Sequence, residues 1–450
     1  MSDAETHDLV VIGTGSAATS VATRCRAAGW RVAIAESREF GGTCALRGCE
    51  PKKTLWTVAE AVDRARRLAG KGLAGGGDVV IDWPALMAFK RSFTDPVPQH
   101  RAESYADAGI EAISGTAHFI GRNSIEVAGR RLQARHILIA TGATPSMPPI
   151  KGAELLATSD DFLSLPQLPQ RLVMLGGGYI SFECAHIAAR AGAQVTILHS
   201  DEQPLRHFDQ DLVRRLVEHS RQAGIAIELN CRAAAVERTA NGFAVKSADG
   251  RRFEADFVLH GLGRKPNLQA LDLDAGGIAV EKGRLRLDRH LRSISNPVVF
   301  AAGDAAAQGP QLTPVATHDA DIVARNLLEG CHHEPDYTGV TSVVFAIPPL
   351  ASVGLTEEAA RRDGTAFELR QGDMADYQSV RRTGETAAGF KILLEPGSGC
   401  VLGAHLLGPQ AQEVINLFAL AVRLRLTAQQ LNALLSAYPS GASNISSMLG

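Results

Sequence analysis

The sequence predicts an α/β chain: two units of one strand–turn–helix–strand kind, followed by a C-terminal α+β domain. Two observations carry this prediction. An apolar run that breaks on glycines and passes into a helical pattern occurs twice, at 8–40 and at 171–202. From about residue 335 the pattern changes to strands and one long apolar helix. A length of 450 residues leaves room for about three domains.

In the first unit, Leu9 to Ile12 form the strand and Gly13-Thr14-Gly15 breaks it. Ala17, Ala18, Val21, Ala22 and Cys25 recur at helical spacing, and Arg31 to Ala35 form a second strand that ends on Glu36. Gly13 permits a tight turn, Gly15 lets the backbone approach a pyrophosphate at a helix N-terminus, and Ala18 takes the third place of the pattern. Glu36 can bind both hydroxyls of an unphosphorylated ribose. The second unit has a strand at 171–175, glycines at 176–178, a helix to about 191 and a strand at 194–198. Gly176, Gly178 and Ser181 stand at its three glycine places. Its second strand ends on His199 and Ser200, where the first unit has an acid. No carboxylate there opposes a ribose 2′-phosphate, and Arg206, with His199, supplies positive charge, so NADPH is expected over NADH despite nearby Asp201 and Glu202. Two dinucleotide-binding (Rossmann-like) units are therefore expected. Residues 1–150 and 266–334 form the first, 151–265 the second, and 335–450 the last domain. In that domain 337–356 and 389–408 read as strands, and 415–435 reads as one helix.

Bulk properties exclude several classes. A formal net charge of -2 provides no basic field for nucleic acid. No apolar run approaches the roughly 20 residues that span a bilayer. The first residues lack a basic-then-apolar leader, so a cytoplasmic location is expected. Seven cysteines in 450 residues do not make a stapled secreted framework. Cys25, Cys184, Cys231, Cys331 and Cys400 read as small apolar residues.

Cys44 and Cys49 differ, because GGTCALRGCEPKK (41–53) sets them close together beside two lysines. A zinc site of four thiolates needs a second close pair, which the sequence lacks, so no metal site is expected. In a regular helix, positions five apart differ by about 7.5 Å in rise. A disulfide needs Cα atoms within about 7 Å. The pair can bridge only across a distorted turn, and Gly48 lets the backbone bend. Lys52 and Lys53 give reason to expect a stabilised thiolate. With two nucleotide units present, hydride would pass from a nicotinamide to a flavin and on to a disulfide.

The motif 41–53 resembles the redox-active stretch of the class I pyridine nucleotide–disulfide oxidoreductases, which include glutathione reductase, dihydrolipoamide dehydrogenase and mercuric reductase. The resemblance spans nearly the whole chain. GTGSAA (13–18) is similar to the FAD pyrophosphate turn, and ATGATP (140–145) and FAAGDAA (300–306) to the later FAD motifs. GGGYISFE (176–183) and GLGRKPN (261–267) are similar to the NAD(P) domain, and IPPLASVGLTEEAA (347–360) to the opening of the dimerisation domain. The resemblance implies an FAD- and NADP-dependent homodimer. It implies FAD contacts at Gly42, Thr43, Thr141, Gly142 and Asp304, and a pyridine-nucleotide contact at Gly263. Cys49 would lie against the flavin as the charge-transfer thiolate, and Cys44 would be the interchange thiol that attacks substrate. Lys52 would sit near the flavin's reactive nitrogen and pair with Glu183, and Tyr179 would be the gate that moves when nicotinamide binds.

The C-terminus departs from the family pattern. Its disulfide reductases end with His-Pro-Thr and a Glu three residues further on, supplied to the partner subunit as an acid–base dyad. Here AYPSGASNISSML (437–449) puts Tyr438 at the His place, Ser440 at the Thr place and Ser443 at the Glu place. A Tyr with a pKa near 10 is a poor base at neutral pH, and general acid–base help is typically worth 10²- to 10⁴-fold. Tyr438 can still donate a hydrogen bond. Mercuric reductases also lack that histidine, but carry a C-terminal cysteine pair that this chain does not have. Arg47 and Glu50, unusual beside the thiols, either shape a charged substrate entrance or pair with each other. The expectation is an enzyme that passes electrons from NADPH to Cys44–Cys49 and on to an atypical small-molecule acceptor. The alternatives are glutathione reductase or dihydrolipoamide dehydrogenase activity, a mercuric-type metal reductase, and a redox-sensing flavoprotein.

Overall fold

The computed structural model describes residues 5–450. The chain forms two compact units: one contains the chain up to Pro51, Lys90–Ser146 and Gly263–Tyr337, and the other Lys52–Phe89, Met147–Leu262 and Thr338–Gly450. The α/β class with an α+β C-terminal part is the one observed. No helix among the described residues is long and apolar enough to cross a membrane.

The first unit is built on a seven-stranded sheet. Strands Glu111–Ser114, Val32–Glu36, Glu5–Ile12 and Arg130–Ile139 are parallel neighbours in that order, and Val299–Ala301 joins the last of them. Parallel strands are buried on both faces and read as continuous apolar runs. Alternate residues of LVVI accordingly enter different cores. Leu9 and Val11 pack with Val21 and Val323, while Val10 and Ile12 pack with Ile137 and Ala301. Helix Ser16–Ala27 starts after the three-residue turn 13–15 that ends the first strand.

The second unit repeats the device. Strands Ile225–Glu228, Gln194–Leu198, Arg171–Leu175 and Phe257–His260 make a four-stranded parallel sheet. Leu172 and Met174 face one core, Val173 and Leu175 another. Helix Tyr179–Arg190 follows the glycines, close to the expected span. The C-terminal part holds a five-stranded antiparallel sheet of Thr341–Val344, Leu350–Gly354, Val401–Leu407, Gly389–Leu394 and Glu368–Asp373.

The single helix expected over 415–435 is two. Helix Ala411–Leu424 stops where Arg425 turns left-handed (φ 53). A new helix, Ala428–Asn432, begins on a capping box between Thr427 and Gln430. Phe418 and Ala421 enter the core, whereas Leu420 and Leu424 are 51% and 59% exposed.

The same unit buries a lysine. Lys391 lies 2.9 Å from Asp209, 2.8 Å from Glu357 and in contact with Asp211. Its hydrogen bonds are the leading cause holding the Asp211 and Glu357 carboxyls below their ordinary values. Removing one partner of a buried ion cluster strands the other charges. Lys391→Met is therefore expected to lower the unfolding free energy at pH 7 by on the order of 3 kcal/mol. A carboxyl depressed in the fold stabilises above its unfolded pKa and loses that contribution as pH falls through the folded value. The gap between wild type and variant should thus narrow below about pH 4. Urea denaturation at pH 7 and pH 3.5 checks both parts; equal stabilities at pH 7 would refute them.

Candidate active site

The two thiols meet across the break the sequence implied. Helix Gly42–Arg47 ends at Gly48 (φ -136, ψ -115), and helix Cys49–Arg67 begins at the next residue. A Cβ on Gly48 would lie 2.8 Å from the Thr43 carbonyl oxygen, so no side chain fits there without displacing backbone. Cys44 is half-buried and Cys49 exposed. The thiols hydrogen-bond to each other, and the Thr313 hydroxyl donates to Cys44 Sγ at 3.1 Å and lies 3.5 Å from Cys49 Sγ. The Cys49 contact, then burial, push the Cys44 thiol well above its ordinary pKa, and Thr313 opposes them.

Lys52 and Lys53, from which a stabilised thiolate in the pair was expected, are engaged elsewhere. Both ammoniums go to a carboxylate. Glu183, 1% exposed on helix Tyr179–Arg190, contacts Lys52 and accepts from Lys53 at 3.2 and 3.3 Å and from the Phe345 N–H at 2.8 Å. Burial alone would raise the Glu183 carboxyl; Lys52 and Lys53 outweigh it and hold it below the usual range. Burial pulls the Lys52 ammonium down, and the Glu183 charge more than reverses this. Tyr179 is 43% exposed with its ring centre 5.1 Å from Lys52 Nζ. Lys53 Nζ lies 3.6 Å from the centre of the Phe345 ring. The expected Lys52–Glu183 pair is present; Lys53 and Phe345 were not anticipated.

The first glycine loop fits a dinucleotide. Gly13 has φ 108, and a Cβ there would meet the Ala140 carbonyl at 2.3 Å. A Cβ on Gly15 meets nothing within 4 Å, which leaves the helix N-terminus open to a phosphate. Ala18 is fully buried under this turn. Glu36 accepts from the Thr14 N–H at 3.1 Å and from its hydroxyl at 2.7 Å. Gly42 packs on Gly15, where a Cβ would come within 2.5 Å of Cα. The buried Thr141 hydroxyl has no partner among the described residues. Gly142 accepts from the Asn267 N–H, and burial lifts the Asp304 carboxyl above the usual range against the pull of Arg264. An open glycine cradle, a ribose-binding carboxylate and an orphaned buried hydroxyl suit FAD.

In the second loop, Gly176 and Gly178 pack against the Gly261 carbonyl, and the buried Ser181 hydroxyl has no partner among the described residues. His199 is tied back. Its Nδ1 accepts from the Gly177 N–H at 3.0 Å, and its Nε2 faces the Gln203 carbonyl at 3.1 Å. A carbonyl only accepts, so Nε2 carries the proton and the ring is neutral. Arg206 is exposed and pairs with Asp201 at 2.9 Å. Gly263 belongs to the first unit, where its carbonyl accepts from the Ser146 N–H.

At the C-terminus, Tyr438 is 83% exposed and Ser443 closes a local turn by donating to the Ser440 carbonyl. Arg47 pairs with Glu39 at 2.7 Å, so its charge is not reserved for Glu50. His318 Nε2 accepts from the Asp336 N–H at 3.0 Å. Thr313 escaped the sequence reading. It lies more than 260 residues from the cysteines, and its only signal is its place in the LTPVAT stretch.

Two family profiles match the chain: pyridine nucleotide-disulphide oxidoreductase over residues 7–320 and its dimerisation domain over 340–449. The chain is 34% identical to a glutathione reductase of Burkholderia cepacia, covering 96% of both sequences. It is 32% identical to a mercuric reductase of Lysinibacillus sphaericus, covering 96% of this chain and 80% of that one. Among solved structures it resembles a Cu(II) complex of the HOCl-induced flavoprotein disulfide reductase RclA from Escherichia coli, with a TM-score of 0.90, 29% identity and 99% coverage of both chains.

The Thr313 hydrogen bond favours the Cys44 thiolate. Thr313→Val is expected to move the pH midpoint of Cys44 alkylation by iodoacetamide upward by about one unit, the worth of one hydrogen bond to a charged group. Thr313→Ser should keep the wild-type profile. Peptide mass analysis of the reduced protein reads the result; coincident profiles for Val and wild type would exclude the role.

Proposed function

The chain belongs to the pyridine nucleotide-disulphide oxidoreductase family, a family that binds FAD and a pyridine nucleotide, and we propose that within it the acceptor is a thiophilic metal cation such as Cu(II). The observation that carries this reading is the C-terminal stretch. Tyr438 and Ser443 stand where a disulfide reductase has its His and Glu, so no imidazole there protonates a leaving thiolate. A metal cation takes electrons without that proton. The relatives named for mercuric reduction, and the Cu(II) complex of RclA, support the same class of acceptor.

In this reading Cys44 meets the acceptor and Cys49 closes on it. Two cupric ions each take one electron, the Sγ–Sγ bond forms, and two thiol protons leave to solvent. NADPH and one proton restore the dithiol. FAD, when bound, relays the electron pair between the nicotinamide and the thiols. Gly13, Gly15, Ala18, Glu36, Thr141 and Asp304 would hold it. Lys52, oriented by Glu183, supplies fixed positive charge, and Tyr179 shields the nicotinamide site. The exposed Leu420, Leu424 and Leu435 support a homodimer through the C-terminal part.

NADPH is the proposed coenzyme, because the second strand of the nucleotide unit is followed by His199, which does not repel a 2′-phosphate as a carboxylate would. His199→Glu should lower the NADPH-to-NADH ratio of kcat/KM at least tenfold, measured by flavin reduction. An unchanged ratio would remove this residue from coenzyme selection.

A second reading, reduction of a disulfide with Tyr438 as a weak proton donor, has the 34% identity to a glutathione reductase in its favour. Initial rates of NADPH oxidation with Cu(II), Hg(II), glutathione disulfide and lipoamide separate the two, each with and without Cys44→Ser. Fast, Cys44-dependent turnover with a metal ion and at least 100-fold slower turnover with disulfides is expected. Fast glutathione disulfide turnover that Tyr438→Phe abolishes would establish the second reading. The Cys44→Ser protein should still let NADPH bleach its flavin.

A further inference from the structure

Helix Thr313–Glu329 has the hydroxyl partner of the redox thiols as its first residue. A separate cluster gathers at its last. Gly330 (φ 106) ends the helix, and Cys331, His332 and His333 follow. The side chain of Asn326, 4% exposed, holds this segment. Its Oδ1 accepts from the N–H groups of His332 (3.0 Å) and His333 (2.8 Å), and its Nδ2 donates to the carbonyls of His333 (2.9 Å) and His290 (3.1 Å). All four hydrogen-bonding positions of the amide are used on the two histidines and their neighbour. The His290 Nδ1 donates to the His333 carbonyl at 3.0 Å as well.

The two imidazoles lie side by side, and a carboxylate holds one of them. His333 Nε2 faces Glu329 Oε2 at 3.0 Å. A carboxylate only accepts, so Nε2 carries the proton and Nδ1 is the ring nitrogen left to coordinate a metal. An imidazole bound to a metal characteristically donates its other N–H to a carboxylate in this way. The His332 ring is exposed, with its centre 4.1 Å from that of His333 and a tilt of 42°. Two imidazoles at right angles on one tetragonal metal have ring centres about 4.5 Å apart, given metal–nitrogen bonds near 2.0 Å. Arg325, 3.6 Å from Glu329, is the competing cation at the rim.

We propose that His332 and His333, oriented by Glu329 and Asn326, form a binding site for a divalent transition metal with Cu(II) preferred, because imidazole suits Cu(II) and Cu(II) stands highest in the affinity order. The site is distinct from the thiols. A 17-residue helix separates Thr313 from Glu329 by about 24 Å of rise, too far for one ion to serve both. The proposal does not depend on what the thiols reduce.

The test uses the FAD-loaded protein carrying Cys44→Ser and Cys49→Ser, titrated with Cu(II) and followed by electron paramagnetic resonance. One tightly bound equivalent with coupling to two nitrogens is expected, weakened at least tenfold by His332→Ala or His333→Ala. Glu329→Gln should weaken it about tenfold, the usual effect of losing the group that orients a ligand. With the cysteines restored, the two alanine variants should keep their flavin and their NADPH-driven flavin reduction within twofold, which shows that they fold. Absence of the bound equivalent from the double-serine protein would overturn the proposal. So would unchanged affinity when both histidines are replaced.

Discussion

A carboxylate that is almost entirely out of water must have its charge matched, and Glu183 is such a group. Meeting that demand ties together three pieces of the second unit. Lys52 and Lys53 come from helix Cys49–Arg67, the Phe345 N–H from the segment after strand Thr341–Val344, and Glu183 from helix Tyr179–Arg190. The neighbours extend the seam. Trp56 donates to the Ala346 carbonyl at 3.0 Å and packs edge-on against Phe345. His186 accepts from the Ile347 N–H at 3.0 Å, and Arg190 pairs with Asp63 at 2.9 Å. Positions 179, 183, 186 and 190 recur at helical spacing, so one face of an otherwise apolar helix is polar along its length. The helix that begins with Cys49 is therefore held by ion pairs and hydrogen bonds at Lys52, Trp56 and Asp63.

The two nucleotide units solve one local problem with different chemistry. Each glycine loop directs a backbone N–H at a residue at, or just past, the end of the second strand. In the first unit Thr14 donates to Glu36, and in the second Gly177 donates to His199. Glu36 keeps a negative charge beside the loop, suited to ribose hydroxyls. His199 accepts the same kind of hydrogen bond without a charge, because its other nitrogen keeps a proton for the Gln203 carbonyl. The hydrogen bond to the loop is preserved while the carboxylate at that position is lost. Arg206, a few residues further along, is exposed and pairs with Asp201.

What was legible in the sequence follows from how local each signal is. Strands Arg171–Leu175 and Gln194–Leu198 and the helix between them were read nearly to the residue, since apolar period and glycine turns are short-range properties. The break at Gly48 followed from helix rise together with the short reach of a disulfide between Cys44 and Cys49. The family motif carried the Lys52–Glu183 pair, 131 residues apart. Where reading failed, a longer-range partner decided. Apolar spacing runs through Arg425, but a capping box restarts the chain at Thr427 and splits the helix. The lysines beside the thiols looked like thiolate partners until Glu183 took both. Thr313 reaches Cys44 only because the chain returns to the first unit after residue 262, and no spacing rule encodes that.

The thiol environment bears on which acceptor suits this chain. Attack on a disulfide needs a thiolate nucleophile, and its rate falls with the thiolate fraction. Cys44 is pushed the other way, by its contact with Cys49 and by burial, with only the Thr313 hydroxyl in opposition. In the proposed reading, a disulfide substrate would need a thiolate from this coupled pair and a proton donor for the thiol that leaves. A metal cation changes both conditions. A coordinating thiol loses its proton to the metal outright, so the acceptor itself generates the thiolate. Reduction then releases a metal ion in place of a thiol, and nothing has to be protonated. On the proposed reading, the C-terminal departure from disulfide-reductase chemistry is a handicap for one class of substrate and nearly neutral for the other.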